Sequence, residues 1–176
     1  LGASYTALNK YKDARFYYEQ GLGLAHQINN TLRETSLLHG IGVLEQSQGN
    51  LEAAHENFYK SLNIATEYRY KNYEQRILGS LCLAYRELND YAAAVDYCET
   101  SLQLAKEVGT SRDVARVLNN LGLVHFSADN LTLAEENARA AVQIIERLFT
   151  DINSDPDSQV ALGDTLITYN LLQRIL

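Results

Sequence analysis

Histidine is the residue type that most often suggests catalysis or metal binding, and this chain of 176 residues has four. His55 and Glu56 begin a pattern typical of zinc-protease helices, but Tyr59 stands where that pattern needs its second histidine. Gly21-Leu-Gly23 and Gly40-Ile-Gly42 lie within helical patterns and follow no predicted strand, so they do not resemble phosphate-binding loops. No Ser-His-Asp or Cys-His set has supporting context. We therefore predict no enzyme activity, no metal site and no cofactor.

Arginine and asparagine offer a different chemistry. Arg76 and Arg116 lie forty residues apart, and Asn119 and Asn120 follow the second of them. Guanidinium groups bind carboxylates through paired hydrogen bonds, and an amide can bind peptide backbone. These side chains could hold an extended acidic peptide. Alternatively, the arginines pair with local acids such as Glu87, and the sequence leaves both interpretations open.

The two cysteines, Cys82 and Cys98, are too few for a disulfide framework and match no metal-binding spacing. We interpret them as buried thiols that pack as small apolar side chains. A disulfide bridge is the alternative, because both residues fall in one predicted helical hairpin.

Composition and charge exclude several classes of function. Apolar residues make up 46% of the chain, as in soluble globular proteins, so disorder is excluded as the main state. The net charge of −7 makes the chain a poor non-specific ligand for nucleic acids or anionic membranes. No apolar run approaches the roughly 20 residues that span a bilayer. We predict a cytoplasmic protein without nucleic-acid or membrane partners, and, since it starts at Leu1 and lacks methionine, a fragment of a longer one.

The elements that would position these residues follow from an internal repeat with a period of forty residues. A large apolar residue precedes a small one at Leu1-Gly2, Ile41-Gly42, Leu81-Cys82 and Leu121-Gly122. An alanine follows twelve residues after each pair, at Ala14, Ala54, Ala94 and Ala134. Good helix formers dominate between turn-forming pairs, and Pro156 is the one proline. The pattern predicts an all-α chain with one helical hairpin per repeat.

The small residues predict where the two helices of each hairpin meet. We expect contacts at Gly2/Ala14, Gly42/Ala54, Cys82/Ala94 and Gly122/Ala134. A glycine inside a helix costs about 1 kcal/mol relative to alanine, so glycines at a fixed spacing indicate a packing requirement. We expect helix N-caps at Thr31, Asn72 and Ser111.

This pattern resembles the tetratricopeptide repeat, a pair of antiparallel helices that stacks into a right-handed superhelix, or α-solenoid. The Leu-Gly pair, the aromatic residue three positions later at Tyr5 and Tyr85, and the alanine carry the resemblance, which covers residues 1 to about 149. The period exceeds the usual one of about 34, so longer helices are expected. The resemblance implies four repeats, at 1–28 (lacking its start), 31–68, 72–108 and 111–149. Residues 150–176 would form a long loop and the last helix of an incomplete or irregular fifth repeat.

The last part of the chain resembles a second class. Residues 137–148 and 168–176 are similar to the junction in bacterial, notably cyanobacterial, CHAT-class proteins, where a repeat array precedes a caspase-like domain. The resemblance implies a larger parent protein, but no caspase-like catalytic residue is carried over to this chain. Alternatively, Leu162-Gly163 lies one repeat and one residue after Leu121-Gly122, which indicates a fifth repeat with one inserted residue.

In tetratricopeptide arrays the first helix of each repeat lines a concave groove, so the resemblance predicts a binding face. Residues three and four apart share a helix face, which selects the members of this face. The candidate ligand-binding residues are His39, Val43, Gln46, Arg76, Leu83, Arg86, Arg116, Asn119, Asn120, Leu123 and Phe126. The apolar members would form a floor between the charged ones.

We therefore predict a non-enzymatic scaffold module of a larger regulatory protein that binds a protein or peptide segment with acidic groups. One alternative is the signal-sensing repeat domain of a transcription regulator, which would bind a small molecule or a short peptide. Another is a structural spacer without a ligand. Because the first hairpin is incomplete and the last helix is apolar at Leu171, Leu172 and Ile175, we also expect self-association through the ends.

Overall fold

The structure, a computed structural model, describes residues 1–152 and 170–175, and these residues form helices joined by short turns, without a strand. The predicted all-α fold is confirmed. Residues 170–175 are also helical, whereas Leu162-Gly163 lies outside the described residues. No helix of the described part is both long and apolar enough to cross a bilayer. The helices are α1 (Gly2–Ala7), α2 (Tyr11–Gln27), α3 (Thr31–Ser47), α4 (Leu51–Glu67), α5 (Lys71–Glu87), α6 (Tyr91–Val108), α7 (Ser111–Ser127) and α8 (Leu131–Ile152).

The turns recur at a regular spacing, two to each repeat, because most helices end with the same backbone conformation. A residue with positive φ follows the helix, where asparagine, aspartate and glycine are tolerated best. Its N–H bonds back to the last helical turn, as Asn29 does to the carbonyl of His26 at 3.1 Å. The residues with positive φ are Asn9, Asn29, Gly49, Arg69, Asn89 and Asp129.

The turn before α7 is built differently. Gly109 has a φ of −88°, and Thr110 forms a capping box with Asp113. The three predicted N-caps are wrong, two of them by one residue. Asn30, not Thr31, accepts the N–H of Arg33 at 2.9 Å, and Thr110, not Ser111, caps α7. Asn72 lies inside the first turn of α5, which begins at Lys71.

The chain divides into two compact units, residues Leu1–Ala84 and Tyr85–Leu176. In the first unit, Ala14, Tyr18 and Leu44 form a buried cluster against which Tyr5, Tyr11, Leu37 and Ile41 pack. In the second unit, Ala115, Ala141 and Ile145 are buried together, with Leu118 and Ile144 packed against them. Each cluster joins residues of a first helix (α1, α3, α5, α7) to residues of a second helix (α2, α4, α6, α8).

In the first two hairpins, an aromatic ring of the second helix lies nearest to the place where a Cβ of the glycine would stand. A Cβ at Gly2 would lie 2.8 Å from the ring of Tyr18, and a Cβ at Gly42 would lie 2.5 Å from the ring of Phe58. These aromatic residues stand one helical turn after the alanines, and the glycines make room for their rings. At Gly122 the predicted partner is among the nearest atoms, since the carbonyl oxygen of Ala134 would lie 3.3 Å from a Cβ placed there.

The cysteines occupy the same two places in the third repeat, one period after Gly42 and Phe58. Both Cys82 and Cys98 are fully buried, and both are disulfide-bonded, so neither is a free thiol. The interpretation as two buried thiols is therefore wrong. The repeat explains the burial, because in the first two hairpins the residues at these places lie where the two helices meet.

Candidate functional site

The first helices of the first unit surround a cavity of about 560 Å³. Three predicted site residues line it: His39 and Val43 on α3, and Arg76 on α5. The predicted residues Gln46 and Leu83 are half-buried and do not line it. Sequence reasoning missed part of the lining, including a residue of a second helix. The other residues around the cavity are Ala3, Thr6, Ala7, Asn9, Tyr18, Ser36, Leu37, Gly40 and Ser47.

His39 connects α3 to α5 through a hydrogen bond. Its Nε2 lies 2.8 Å from the Ser80 hydroxyl oxygen, and that hydroxyl donates to the carbonyl of Arg76 at 3.3 Å. One hydrogen bond therefore links the imidazole ring of His39 to Ser80 on α5. The imidazole ring also lies 5.8 Å from the ring of Phe58. His39 is thus fixed in position beside the cavity.

Arg76 is an exposed cation at the same cavity. Its guanidinium carbon lies 5.9 Å from the centre of the Tyr73 ring. Within residues 1–152 and 170–175, no carboxylate lies within ion-pair distance of Arg76. The alternative that the arginines pair with local acids therefore does not describe Arg76, which is left with a guanidinium that a ligand can reach.

Arg116 has a local partner instead. Its Nη2 lies 3.3 Å from Oδ1 of Asp113, one turn earlier on α7. Burial raises the pKa of Asp113, but hydrogen bonds from Thr110 and from Arg116 together lower it below its usual value. Arg116 therefore pairs with a local acid, as the alternative interpretation of the arginines states. A ligand would have to share this cation with Asp113.

The remaining predicted residues lie at different depths on α5 and α7. Arg86, Leu123 and Phe126 are half-buried. Asn119 and Asn120 are buried, only 7% and 6% exposed, and Oδ1 of Asn119 has no hydrogen-bond partner among the described residues. These two amides lie beneath the surface rather than on it.

The helical segment 170–175 reaches α7, a contact that the sequence pattern did not indicate. The Arg174 guanidinium lies 4.9 Å from the centre of the Phe126 ring. Leu171 is 2% exposed, and its Cδ2 would lie 3.0 Å from a Cβ at Gly122. Because Ala138 stands at the position of Tyr18 and Phe58, Leu171 fills space that an aromatic ring fills in the earlier hairpins.

Charge separates the two kinds of helix. The first helices carry six lysine and arginine residues and five carboxylates. The second helices carry six lysine and arginine residues and twelve carboxylates. The acidity of the chain therefore comes mainly from the second helices, and an anionic ligand meets far less repulsion at the first helices.

The first two hairpins have a glycine on the first helix and an alanine and an aromatic residue on the second. This is the pattern expected of the tetratricopeptide repeat. That family matches residues 73–147. Residues 73–147 are therefore similar to tetratricopeptide repeats. Among curated proteins, none matches the sequence.

Solved structures show the same fold over nearly the whole chain. The crystal structure of BtubC (BKLC) from P. vanneervenii has a TM-score of 0.75 at 18% identity, covering 99% of this chain and 75% of that one. A Podosopora anserina protein, described as a kinesin light chain with nearly identical TPR-like repeats, has a TM-score of 0.71 at 15% identity. That match covers 99% of this chain and 82% of the other. At such identities the likeness concerns the fold alone.

Proposed function

We propose that this chain is a non-enzymatic protein-interaction module that binds segments with acidic groups through its first helices. The observation that carries the proposal is the cation at Arg76, which is exposed, lines a cavity and has no acidic partner in the described part of the chain. Tetratricopeptide repeats generally mediate protein–protein interactions, which supports the class of function.

The residues proposed to contact the ligand are those predicted on α3, α5 and α7. Arg76, Arg86 and Arg116 would supply charge, and Leu83, Leu123 and Phe126 would supply apolar contact. Apolar anchors contribute most of the affinity of such interactions, and charge pairs contribute register and specificity. The buried amides Asn119 and Asn120 would act only if a ligand or a side-chain movement uncovered them.

A peptide array tests this proposal. We expect segments that combine glutamate or aspartate with large apolar residues to be retained, and matched segments with lysine in place of the acids to be lost. Retention should weaken as salt rises, because exposed charges are screened beyond about 8 Å at physiological ionic strength. Equal retention of the acidic and the lysine series would overturn the proposal.

A second function, the sensing of a small molecule or a short peptide as in a transcription regulator, is favoured by one observation. The cavity of about 560 Å³ is within the range of about 300–1,000 Å³ that is typical of small-ligand sites. The CHAT-class parent and the cytoplasmic location stay predictions, and the sequence of the full parent protein would decide the first of them.

Self-association is also part of the proposal. Leu24 and Ile28 on the surface of the first unit are 61% and 68% exposed, whereas Ile64 and Leu104, which lie at the positions equivalent to Leu24, are half-buried. An apolar surface of this kind favours contact with another copy. Light scattering should show dimers or larger species that the double substitution Leu24→Lys with Ile28→Lys reduces. A monomer at every concentration would contradict this part.

A further inference from the structure

The cavity of the first unit exists because α1 carries smaller side chains than the equivalent positions of later first helices. The internal repeat makes the comparison direct, since equivalent residues are one period apart. Where α1 has Ala3, Thr6 and Ala7, the later helices have larger or charged residues. The residues equivalent to Ala3 are Val43, Leu83 and Leu123. Those equivalent to Thr6 are Gln46, Arg86 and Phe126, and those equivalent to Ala7 are Ser47, Glu87 and Ser127.

On the α3 side of the cavity, the side chains are also smaller than those at the equivalent positions of the later repeats. Ser36 stands where Arg76 and Arg116 stand in the next two repeats. Gly40 stands where Ser80 and Asn120 stand. Reduction at five positions of one region, each lining the same cavity, indicates a built pocket rather than a chance packing defect.

Gly40 has a second consequence, because it brings the hydroxyl of Tyr18 to the cavity. A Cβ at Gly40 would overlap the Tyr18 ring and would lie 2.8 Å from its hydroxyl oxygen. The equivalent second-helix residues are Phe58, Cys98 and Ala138, none of which has a hydroxyl group. Tyr18 thus adds a hydrogen-bond donor to a cavity that an aromatic ring alone would have left apolar.

The cavity therefore combines apolar walls with groups that bind an anion. Ala3, Ala7, Leu37 and Val43 give the apolar surface. Arg76 gives a cation without an acidic partner in the described residues, and the hydroxyls of Tyr18 and Ser36 give donors. A carboxylate matches this donor set, and an apolar body matches the walls.

We propose that this cavity binds a small carboxylic acid with an apolar body, with Arg76 and Tyr18 as partners of the carboxylate. The inference rests on the proposed function in one respect, that Arg76 receives an acidic group, but it assigns that group to one cavity and to a free small molecule. The same chemistry could be presented by an acidic side chain next to an apolar one in a peptide, so the test includes both sources.

The experiment titrates the chain with 4-phenylbutyrate and with its neutral primary amide, observed by NMR and calorimetry. We expect the acid to bind at least tenfold more tightly than the amide and to shift the backbone signal of Gly40. Arg76→Gln should remove that preference. Ala3→Leu, which introduces the residue found at Leu83 and Leu123, should fill the cavity and reduce binding at least tenfold.

Three further variants make the result specific. Tyr18→Phe introduces the residue found at Phe58 and should weaken binding of the acid a few-fold without loss of folding. Leu32→Ala and Arg33→Gln alter exposed residues of α3 that do not line the cavity and should leave binding of the acid unchanged. Because Ala3 and Arg76 are both exposed, their variants should fold, and circular dichroism checks this.

The outcomes separate this inference from the proposed function. Equal binding of acid and amide, or unchanged binding by Ala3→Leu, would overturn the cavity assignment, even if acidic peptides still bind elsewhere on the first helices. If acetyl-Phe-Glu-amide displaces the acid and binds more tightly with the same dependence on Ala3 and Arg76, the cavity stands and its ligand is a segment. That result would overturn the assignment to a free small molecule.

Discussion

At the scale of single residues, glycine positions decide how each hairpin closes. Positions 2 and 42 need glycine, because an aromatic ring from the second helix occupies the space that a side chain would fill. The regular spacing of the repeat indicates that a close approach occurs there, but it cannot say which neighbour approaches. The ring belongs to the residue one turn after the repeated alanine, and its direction depends on the side-chain rotamer rather than on spacing.

We predict opposite effects for two glycine substitutions within helices. Gly42→Ala should destabilise the fold by about 1–3 kcal/mol, because the new Cβ would lie 2.5 Å from the fully buried ring of Phe58. Gly23→Ala is the matched control, since a Cβ placed there would meet nothing within 4 Å beyond the neighbouring backbone of its own helix. That change should stabilise the helix by about 0.5–1 kcal/mol through propensity alone. Urea unfolding measures both, and equal effects would contradict the packing role of Gly42.

Stability should fall as the pH drops below about 6.5, in part because of His125. Burial lowers the pKa of His125, although Glu99 acts in the opposite direction. The unfolded chain therefore binds more protons at this residue, so the stability that the neutral ring contributes is complete above about pH 6.5 and declines below it. His125→Tyr, which copies Tyr5 and Tyr85, should flatten the pH dependence of the urea midpoint. An unchanged slope would be evidence against this assignment.

At the scale of the helices, most boundaries follow from sequence. The predicted bounds of the first three repeats and the start of the fourth lie within one residue of the observed helix ends, because turn-forming residues recur twice in each repeat. The repeat pattern predicts that α8 ends at Phe149, whereas the helix continues to Ile152. No glycine or asparagine with positive φ stops it there, so the sequence carries no signal for its length. The caps predicted at Thr31 and Ser111 are one residue too late, because serine and threonine also occur inside first turns.

An ion pair between Arg15 and Glu45 joins α2 to α3. Its carboxylate stands at a position where two other repeats have an aromatic residue. Glu45 stands where Tyr5 and Tyr85 stand, and its side chain is 7% exposed. Its Oε1 lies 2.6 Å from Nη2 of Arg15, and Nδ2 of Asn50 donates to its Oε2 at 2.9 Å. A buried carboxylate that loses its cation is costly because the charge stays desolvated.

Arg15→Ala should therefore destabilise the first unit by about 2 kcal/mol, less than a fully buried pair because Arg15 is 42% exposed. Adding Glu45→Tyr should recover much of this loss by removing the buried charge. Arg139→Ala breaks the exposed pair with Glu135 and serves as the control, with an expected cost below about 0.5 kcal/mol. Thermal unfolding compares the three, and a cost for Arg15→Ala no larger than that of the control would refute the role of the pair.

At the scale of the whole molecule, the sequence predicts which helix faces can bind but not how deep each residue lies. His39, Val43 and Arg76, which their periodic positions selected as candidates, line the cavity. The cavity itself could not be predicted from spacing, because its volume comes from several small side chains and from the ring of Tyr18. Asn119 and Asn120 share the spacing of their neighbours but are buried, since their position on α7 turns toward the interior.

The uneven charge of the two kinds of helix gives the binding proposal its specificity. Twelve of the carboxylates lie on the second helices, and five lie on the first. The proposal therefore concerns where a cation stands rather than how many cations the chain has. Two charge reversals with the same change in net charge, one on each kind of helix, separate these explanations.

The most direct test measures the affinity of the acidic peptides selected on the array for two double variants. Arg76→Glu with Arg116→Glu reverses charge on first helices, and Lys60→Glu with Arg139→Glu makes the same change in net charge on second helices. We predict at least a tenfold loss of affinity for the first variant and less than a twofold loss for the second, with the helical circular dichroism of both unchanged. Equal losses for the two variants, or binding of the first as tight as that of the parent chain, would contradict the proposal.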